Sequence, residues 1–301
     1  MIKKVLTFAV ALSCSLSAFA QTDFLSLSGD VASAALAGTN GAYNSSSFAV
    51  TENMSAVGMS DKQSSVGVNM VSWQPSYINS TIFQAGGFHK LSDQLSIGAS
   101  LQYESLVSQD IINDLGESEG SFTPNGMSLN VGAAYALSEH LAVGASLSYI
   151  SSTLYTLKSS FVGVNLSTTY SVDGTTLAAA INNLGSEDEV IAAPMNFTVS
   201  AAHSFVVSDS SKVGLMGSAC NILAPTAIAS WSFGGAIELD YQSKLFVRAG
   251  YRSCDPLYMD SYTSCGVGVA LNDIRVDASY LIGASSAPIN GTFMIGLTWS
   301  K

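Results

Sequence analysis

From residue 64 to the C-terminus, large apolar side chains alternate one for one with small or polar ones. Leu95, Ile97, Ala99, Leu101 and Tyr103 interleave with Ser96, Gly98, Ser100, Gln102 and Glu104. The same pattern runs through Leu141 to Tyr149, Val162 to Tyr170, Trp231 to Tyr241 and Ile274 to Tyr280. Successive side chains of a strand point to opposite faces, so a period of two predicts β-strands with one apolar face. The pattern yields fourteen segments: 64–73, 77–89, 93–106, 127–137, 140–151, 160–172, 175–183, 194–206, 211–222, 229–241, 244–253, 264–271, 273–282 and 291–299. Both faces are mixed in 77–89 and 175–183. The even total, with apolar residues on one face and Gly, Ser and Ala on the other, predicts an all-β fold: a transmembrane antiparallel β-barrel of about fourteen strands.

The connections alternate too. One set is short: Leu91-Ser92, Ser138-Glu139, Asp173-Gly174, 207–210, Gln242-Ser243 and Asn272. The other set includes 107–126, 152–159, 184–193, 254–263 and 283–290, with the Pro75 connection as the exception. Short periplasmic turns and long outer loops are what an outer-membrane barrel requires. On this topology Tyr103, Tyr149, Trp231, Tyr251 and Tyr280 form an outer aromatic belt, and Tyr135, Tyr170, Phe205, Tyr241 and Trp299 an inner one. A soluble sandwich also alternates, but its solvent face would carry Lys, Glu and Thr in place of these small residues.

Residues 21–63 do not alternate; 31–36 and 50–57 read as short helical or irregular stretches. Fourteen strands enclose a lumen that inward side chains alone do not fill. The expectation is a plug or hatch at 21–63 inside a barrel at 64–301, the other reading being a periplasmic tail. Residues 1–20 combine Lys3 and Lys4, an apolar run from Val5 to Leu12, and Ala18-Phe19-Ala20, which reads as a signal peptide cut after Ala20.

Composition narrows the function. Charged residues make up 11% of the 301-residue chain, against 48% hydrophobic, too few to cover a soluble globule. That hydrophobicity also excludes disorder. A net charge of -11 without Lys/Arg clusters excludes electrostatic binding of nucleic acid. After Gln21 no run of eighteen apolar residues occurs, so membrane crossing must use strands.

Strand parity aims Glu104, Glu238, Asp240, Arg248, Arg252, Arg275 and Asp277 into the lumen. They read either as a polar latch or constriction against the plug, or as cross-strand ion pairs. The acidic loop groups Asp110, Asp114, Glu117 and Glu119, and Glu187, Asp188 and Glu189, lack EF-hand spacing and read as solvated loops or a docking surface. Cys254 and Cys265 flank one loop and invite a disulfide, yet parity puts them on opposite faces; Cys220 is expected free. His89, His140 and His203 are scattered and no Gly-x-Ser-x-Gly elbow exists, so no enzyme, cofactor or metal site is expected.

Several strings resemble the PorV/PorQ family, distant relatives of the FadL fatty-acid transporters. Phe24 to Leu27 and Ala32 to Thr39 are similar to that family's opening. Glu52-Asn53-Met54-Ser55-Ala56-Val57-Gly58 stands where the family has an Asn-Pro-Ala-Gly-type hatch motif, with Met54 in place of the proline. Phe246 to Arg252, Ile274 to Ile282 and Thr292 to Trp299 are similar to its last strands. The resemblance implies a cell outer-membrane barrel with an N-terminal hatch that serves type IX protein secretion or surface attachment. Its partners would be outer-membrane lipid and either secretion-system proteins or cargo C-terminal signal domains. The alternative is a FadL-like channel for a hydrophobic small molecule.

Overall fold

The computed structural model describes residues 25, 27–42, 46–74, 79–113, 116–185, 195–224, 230–256 and 259–301. The proposed signal peptide lies outside the described residues. Among the described residues three short α-helices, α1 (Val31–Ala35), α2 (Ala49–Glu52) and α3 (Ser55–Gly58), and a 3-10 turn at Asn40–Ala42 precede the strands. The strands are β1 (Ser64–Trp73), β2 (Ser80–Lys90), β3 (Leu95–Ser105), β4 (Gln109–Ile112), β5 (Ser118–Phe122), β6 (Asn125–Ala136), β7 (Leu141–Leu154) and β8 (Leu157–Val172). They continue as β9 (Thr175–Gly185), β10 (Met195–Ser208), β11 (Ser211–Ala224), β12 (Ser230–Tyr241), β13 (Leu245–Cys254), β14 (Tyr262–Leu271), β15 (Ile274–Ile282) and β16 (Phe293–Ser300).

All but β4 and β5 form one closed antiparallel barrel, each strand beside its chain neighbour and β1 closing on β16. Closure pairs Val66 with Trp299 and Val71 with Met294, so no barrel edge is left to satisfy in hydrocarbon. The outward set is the predicted apolar one: Val68, Leu101, Val131, Leu147, Ile237 and Leu297 are all exposed on the outer wall. The residues of both predicted aromatic belts are exposed on that same wall. Tight turns close the short-connection end. In the β8–β9 turn Asp173 and Gly174 both take positive φ, 48° and 75°, the geometry that fits the twist of a two-residue hairpin.

Two expected loops are strand instead. Within 107–126, β4 and β5 form a hairpin of their own, a two-stranded sheet separate from the barrel wall. Across 152–159, β7 and β8 continue to a turn at Tyr155, pairing Leu154 with Leu157. Small and polar residues on both faces, Ser151-Ser152-Thr153 and Ser159-Ser160 among them, hide these extensions from an apolar period of two, although Ser152 and Ser159 are buried on the inner face.

The mixed faces also have causes. In β9 a bulge sets Leu166 opposite Ile181 but Val164 opposite Leu184, which breaks parity at Asn182 and Asn183. Asn183 takes φ of 59° there, and its N–H donates to Asn165 Oδ1 at 2.7 Å. In β2 the inward Ile82 and Phe88 are apolar because they pack on the segment inside the barrel rather than on water.

Candidate functional site

The described residues from Leu27 to Ser60 occupy the lumen, and wall and inner segment are fitted to one another. Val31, Ala34 and Ala37 join Val71, Trp73, Ile82, Leu281 and Met294 in one buried apolar cluster. Ala287 and Ile289, from the last outer connection, fold into the same cluster. Val50, Met54 and Val57 pack with Phe88 and Ala134 in a second one.

The inward glycines are where the inner backbone touches the wall. A methyl group at Gly250 would stand 2.7 Å from the Leu36 carbonyl carbon, and one at Gly266 2.5 Å from Ala35 Cβ. Such contacts are closer than packed carbon atoms allow, so the small-residue face is a seat rather than the lining of an open pore.

Hydrogen bonds fix the seat. Asn69 Nδ2 donates to Gly29 O at 2.8 Å, Ser264 Oγ to Ala35 O at 2.8 Å and Ser146 Oγ to Val50 O at 2.9 Å. Arg252 spans the end of α1: its Nε donates to Ala37 O at 2.7 Å and its Nη2 to Gly38 O at 2.9 Å. Ser232 and Ser218 accept from the same guanidinium at 3.0 and 3.2 Å and hold it in place. These carbonyls, left unpaired as the helix ends, face a buried cation that satisfies them.

The predicted hatch motif is a second anchor. Asn53 Nδ2 donates to Gly41 O at 2.6 Å and to Thr169 Oγ1 at 2.9 Å, while its Oδ1 accepts from Ser55 Oγ at 2.5 Å. The Ser55 N–H donates to Ser167 Oγ at 3.0 Å. Met54 is buried against Gly98, Val57 is fully buried, and Gly58 seats against Ala142, while Ala56 is half-buried. Glu52, on the inner segment rather than on a spanning strand, accepts from Ser28 Oγ and from the Gly29 N–H at 3.1 Å. Burial pushes its carboxyl pKa up, and the Ser28 and Gly29 hydrogen bonds oppose that rise.

The predicted charged residues fall into separate places. Arg248 donates from Nε to Glu238 at 2.5 Å and from Nη1 to Asp277 at 2.7 Å, and Arg275 Nε reaches the other Asp277 oxygen at 2.7 Å. Glu238, Arg248 and Asp277 are buried, and both arginines lie over the Phe246 ring. This cluster sits toward the short-turn end. Gly268 makes room for it, since a methyl there would stand 2.9 Å from Arg248 Nη1. Just outside it, Lys62 has its ammonium pKa pushed down by burial and then by the Arg275 charge.

Asp240 does not join the cluster. Its carboxylate caps the β12–β13 turn, accepting the Ser243 N–H at 2.7 Å, because it is close enough to the strand end for the turn backbone to capture it. Glu104 is at the opposite end of the lumen, where Ser80 Oγ donates to it at 2.7 Å. The possible disulfide is absent here: Cys254 is buried and inward, Cys265 is exposed on the outer wall, and both are free thiols. Strand parity keeps them on opposite faces, as a regular ladder demands. Cys220 is also free.

Beside the inner segment, toward β9–β12, lies a cavity of about 200 Å³. Asn182, Asn196, Thr198 and Ser200 line it from the wall, Glu52 and Asn53 from the inner segment, with Leu27, Ile222 and Met259 among them. Among the described residues no group of three or more His, Cys, Asp and Glu side chains is placed to hold a metal ion. Asp114, Glu187, Asp188 and Glu189 lie outside the described residues.

The closed fourteen-stranded barrel with an N-terminal segment seated in its lumen is similar in fold to several solved channels. The Pseudomonas putida toluene transporter TodX shares 13% identity, with 90% of this chain and 97% of that one covered and a TM-score of 0.66. The CymD monoaromatic hydrocarbon channel gives 13%, 90%, 97% and 0.60, and a Pseudomonas aeruginosa FadL homologue 10%, 90%, 98% and 0.53. At such identities the likeness is one of fold. The model of the family described as type IX secretion system protein PorV matches residues 17–180, more than half of the chain, and the chain belongs to that family. No curated protein matches it in sequence.

Proposed function

We propose that this barrel works in type IX secretion or surface attachment by docking proteins at its outer loops and lumen mouth. In this reading residues 1–20 direct export, 21–63 form the hatch and 64–301 span the cell outer membrane, with the short turns in the periplasm. Family membership supports the role. The observation that carries docking over conduction is the sealed wall: among the described residues every neighbouring strand pair is hydrogen-bonded round to β1–β16. A hydrophobic ligand would need an apolar pocket against the hatch and a lateral gap between strands. The cavity beside the hatch carries amide, hydroxyl and charged side chains among its aliphatic ones, and the larger apolar hollow of about 620 Å³ is lined by outer-wall residues such as Tyr170, Leu177 and Val199 of β8–β10. The charged lumen residues then hold the hatch and brace the wall, with no catalytic part.

Crosslinking in native membranes, followed by mass spectrometry of what co-purifies, tests the proposal. Secretion components or proteins sharing a C-terminal signal domain are the expected catch. A lone barrel carrying fatty acid or another apolar small molecule would refute docking and establish the channel reading.

A further inference from the structure

The β4–β5 hairpin stands apart from the barrel wall, beyond the end of β3 at Ser105 and the belt residue Tyr103. Val107 and Ile112 are about half exposed there, as are Tyr155 and Leu157 on the adjoining β7–β8 extension. These apolar side chains are exposed beyond the outer belt, the usual mark of an interaction surface.

The hairpin is also an unfinished sheet. Its two strands pair only with each other, Gln109 with Phe122 and Ile111 with Gly120. On the β5 side Phe122 leans on Tyr155, with ring centroids 5.2 Å apart. Among the described residues both outer edges of the hairpin are unpaired; the β5 edge has Tyr155 against Phe122, while β4 (Gln109–Ile112), a short strand with Asp110 as its one charge, has no such neighbour and neither Lys nor Pro. Asp110, Glu117 and Glu119 are exposed on the hairpin, and residues 106–124 contain no basic residue.

We propose that the β4 edge takes up an extended, Lys/Arg-flanked polypeptide segment of a partner protein as a third strand. Main-chain hydrogen bonds give the affinity, the exposed apolar residues the anchors and the carboxylates the charge selection. The inference rests on the docking reading and adds the surface and the partner's chemistry.

The test uses the full chain in lipid nanodiscs and a labelled ten-residue peptide of alternating Val and Thr with two Lys at each end. Fluorescence anisotropy should show saturable binding that weakens about tenfold or more with D110K/E117K/E119K. A Glu-flanked peptide should show the opposite preference. N-methylation of alternate peptide amides, which needs no protein variant, should abolish binding. Equal binding of both peptides, or binding that survives N-methylation, overturns the proposal. So does hairpin-dependent self-association or lipopolysaccharide binding in place of peptide binding. If crosslinking recovers secretion partners while the peptide fails, this surface is wrong and docking stands; peptide binding without such partners has the reverse meaning.

Discussion

Arg252 concentrates the hold on the hatch in one side chain, so replacing it with Met should loosen α1 while leaving the barrel closed. The guanidinium donates to Ala37 O and Gly38 O at 2.7 and 2.9 Å in a buried site. Hydrogen bonds to a charged group contribute about 1.5–3 kcal/mol each, so losing both costs roughly 3–6 kcal/mol. At about 1.4 kcal/mol per decade, the locally open population of residues 31–42 should rise by about 10² to 10⁴. Hydrogen exchange read by mass spectrometry measures this as lost protection of those amides, with protection of the β-strands unchanged. R252K should fall between, because an ammonium cannot reproduce the fork of donors. R275M, at the other end of the lumen, should leave residues 31–42 as they were. If R252M keeps native protection at residues 31–42, the bonds drawn to Ala37 and Gly38 do not hold the hatch and the reasoning fails.

Other consequences can be checked as directly. R248M should destabilise the barrel by about 3–5 kcal/mol in urea titration, because Glu238 is left buried without its cation and Asp277 keeps only Arg275, whereas replacing Glu238 and Arg248 together by apolar residues should recover most of the loss. G250V should displace the hatch and raise planar-bilayer conductance, while G235A, whose methyl meets nothing within 4 Å, should change neither stability nor conductance. A carboxyl whose pKa is raised on folding stabilises fully below its unfolded pKa and loses that stability as pH climbs through the folded one. Hatch protection around Glu52 should therefore weaken as pH rises above the ordinary carboxylate range, and E52Q should flatten that profile. Denatured protein expressed without residues 1–20 should titrate as three free thiols, Cys220, Cys254 and Cys265, and a count of one would establish a disulfide between two of them.

Much of the wall was legible because lipid and lumen impose opposite demands on alternate residues. The segment 64–73 coincides with β1, and 229–241 differs from β12 by one residue. Legibility failed where that contrast vanishes. β4 and β5 are exposed on both faces, and the tips of β7 and β8 bury serines rather than apolar residues on their inner face, so neither carries an apolar alternation. At Asn182 and Asn183 a bulge resets the parity. Parity aims Glu104, Glu238, Asp240, Arg248 and Asp277 at one lumen but carries no depth, so it does not report that Glu104 lies beside Ser80 and Asp240 at the β12–β13 turn. The glycines were visible as small residues. That they are contact points for the hatch backbone depends on the three-dimensional path of residues 27–60, which no local pattern reports.

The hatch also sets an order of assembly. Its carbonyls at Ala35, Ala37 and Gly38 are held by Ser264 and Arg252, 229, 215 and 214 positions further along the chain. The part of the mature protein synthesised first thus waits for strands synthesised almost last. Contacts of such sequence separation form slowly, since a long loop must close before any of them is made. Until β13 and β14 join the sheet, the hatch has neither its cation nor its hydroxyl. A chain stopped before them would carry a loose N-terminal segment and an open barrel edge, the two features that a folding-quality protease can recognise.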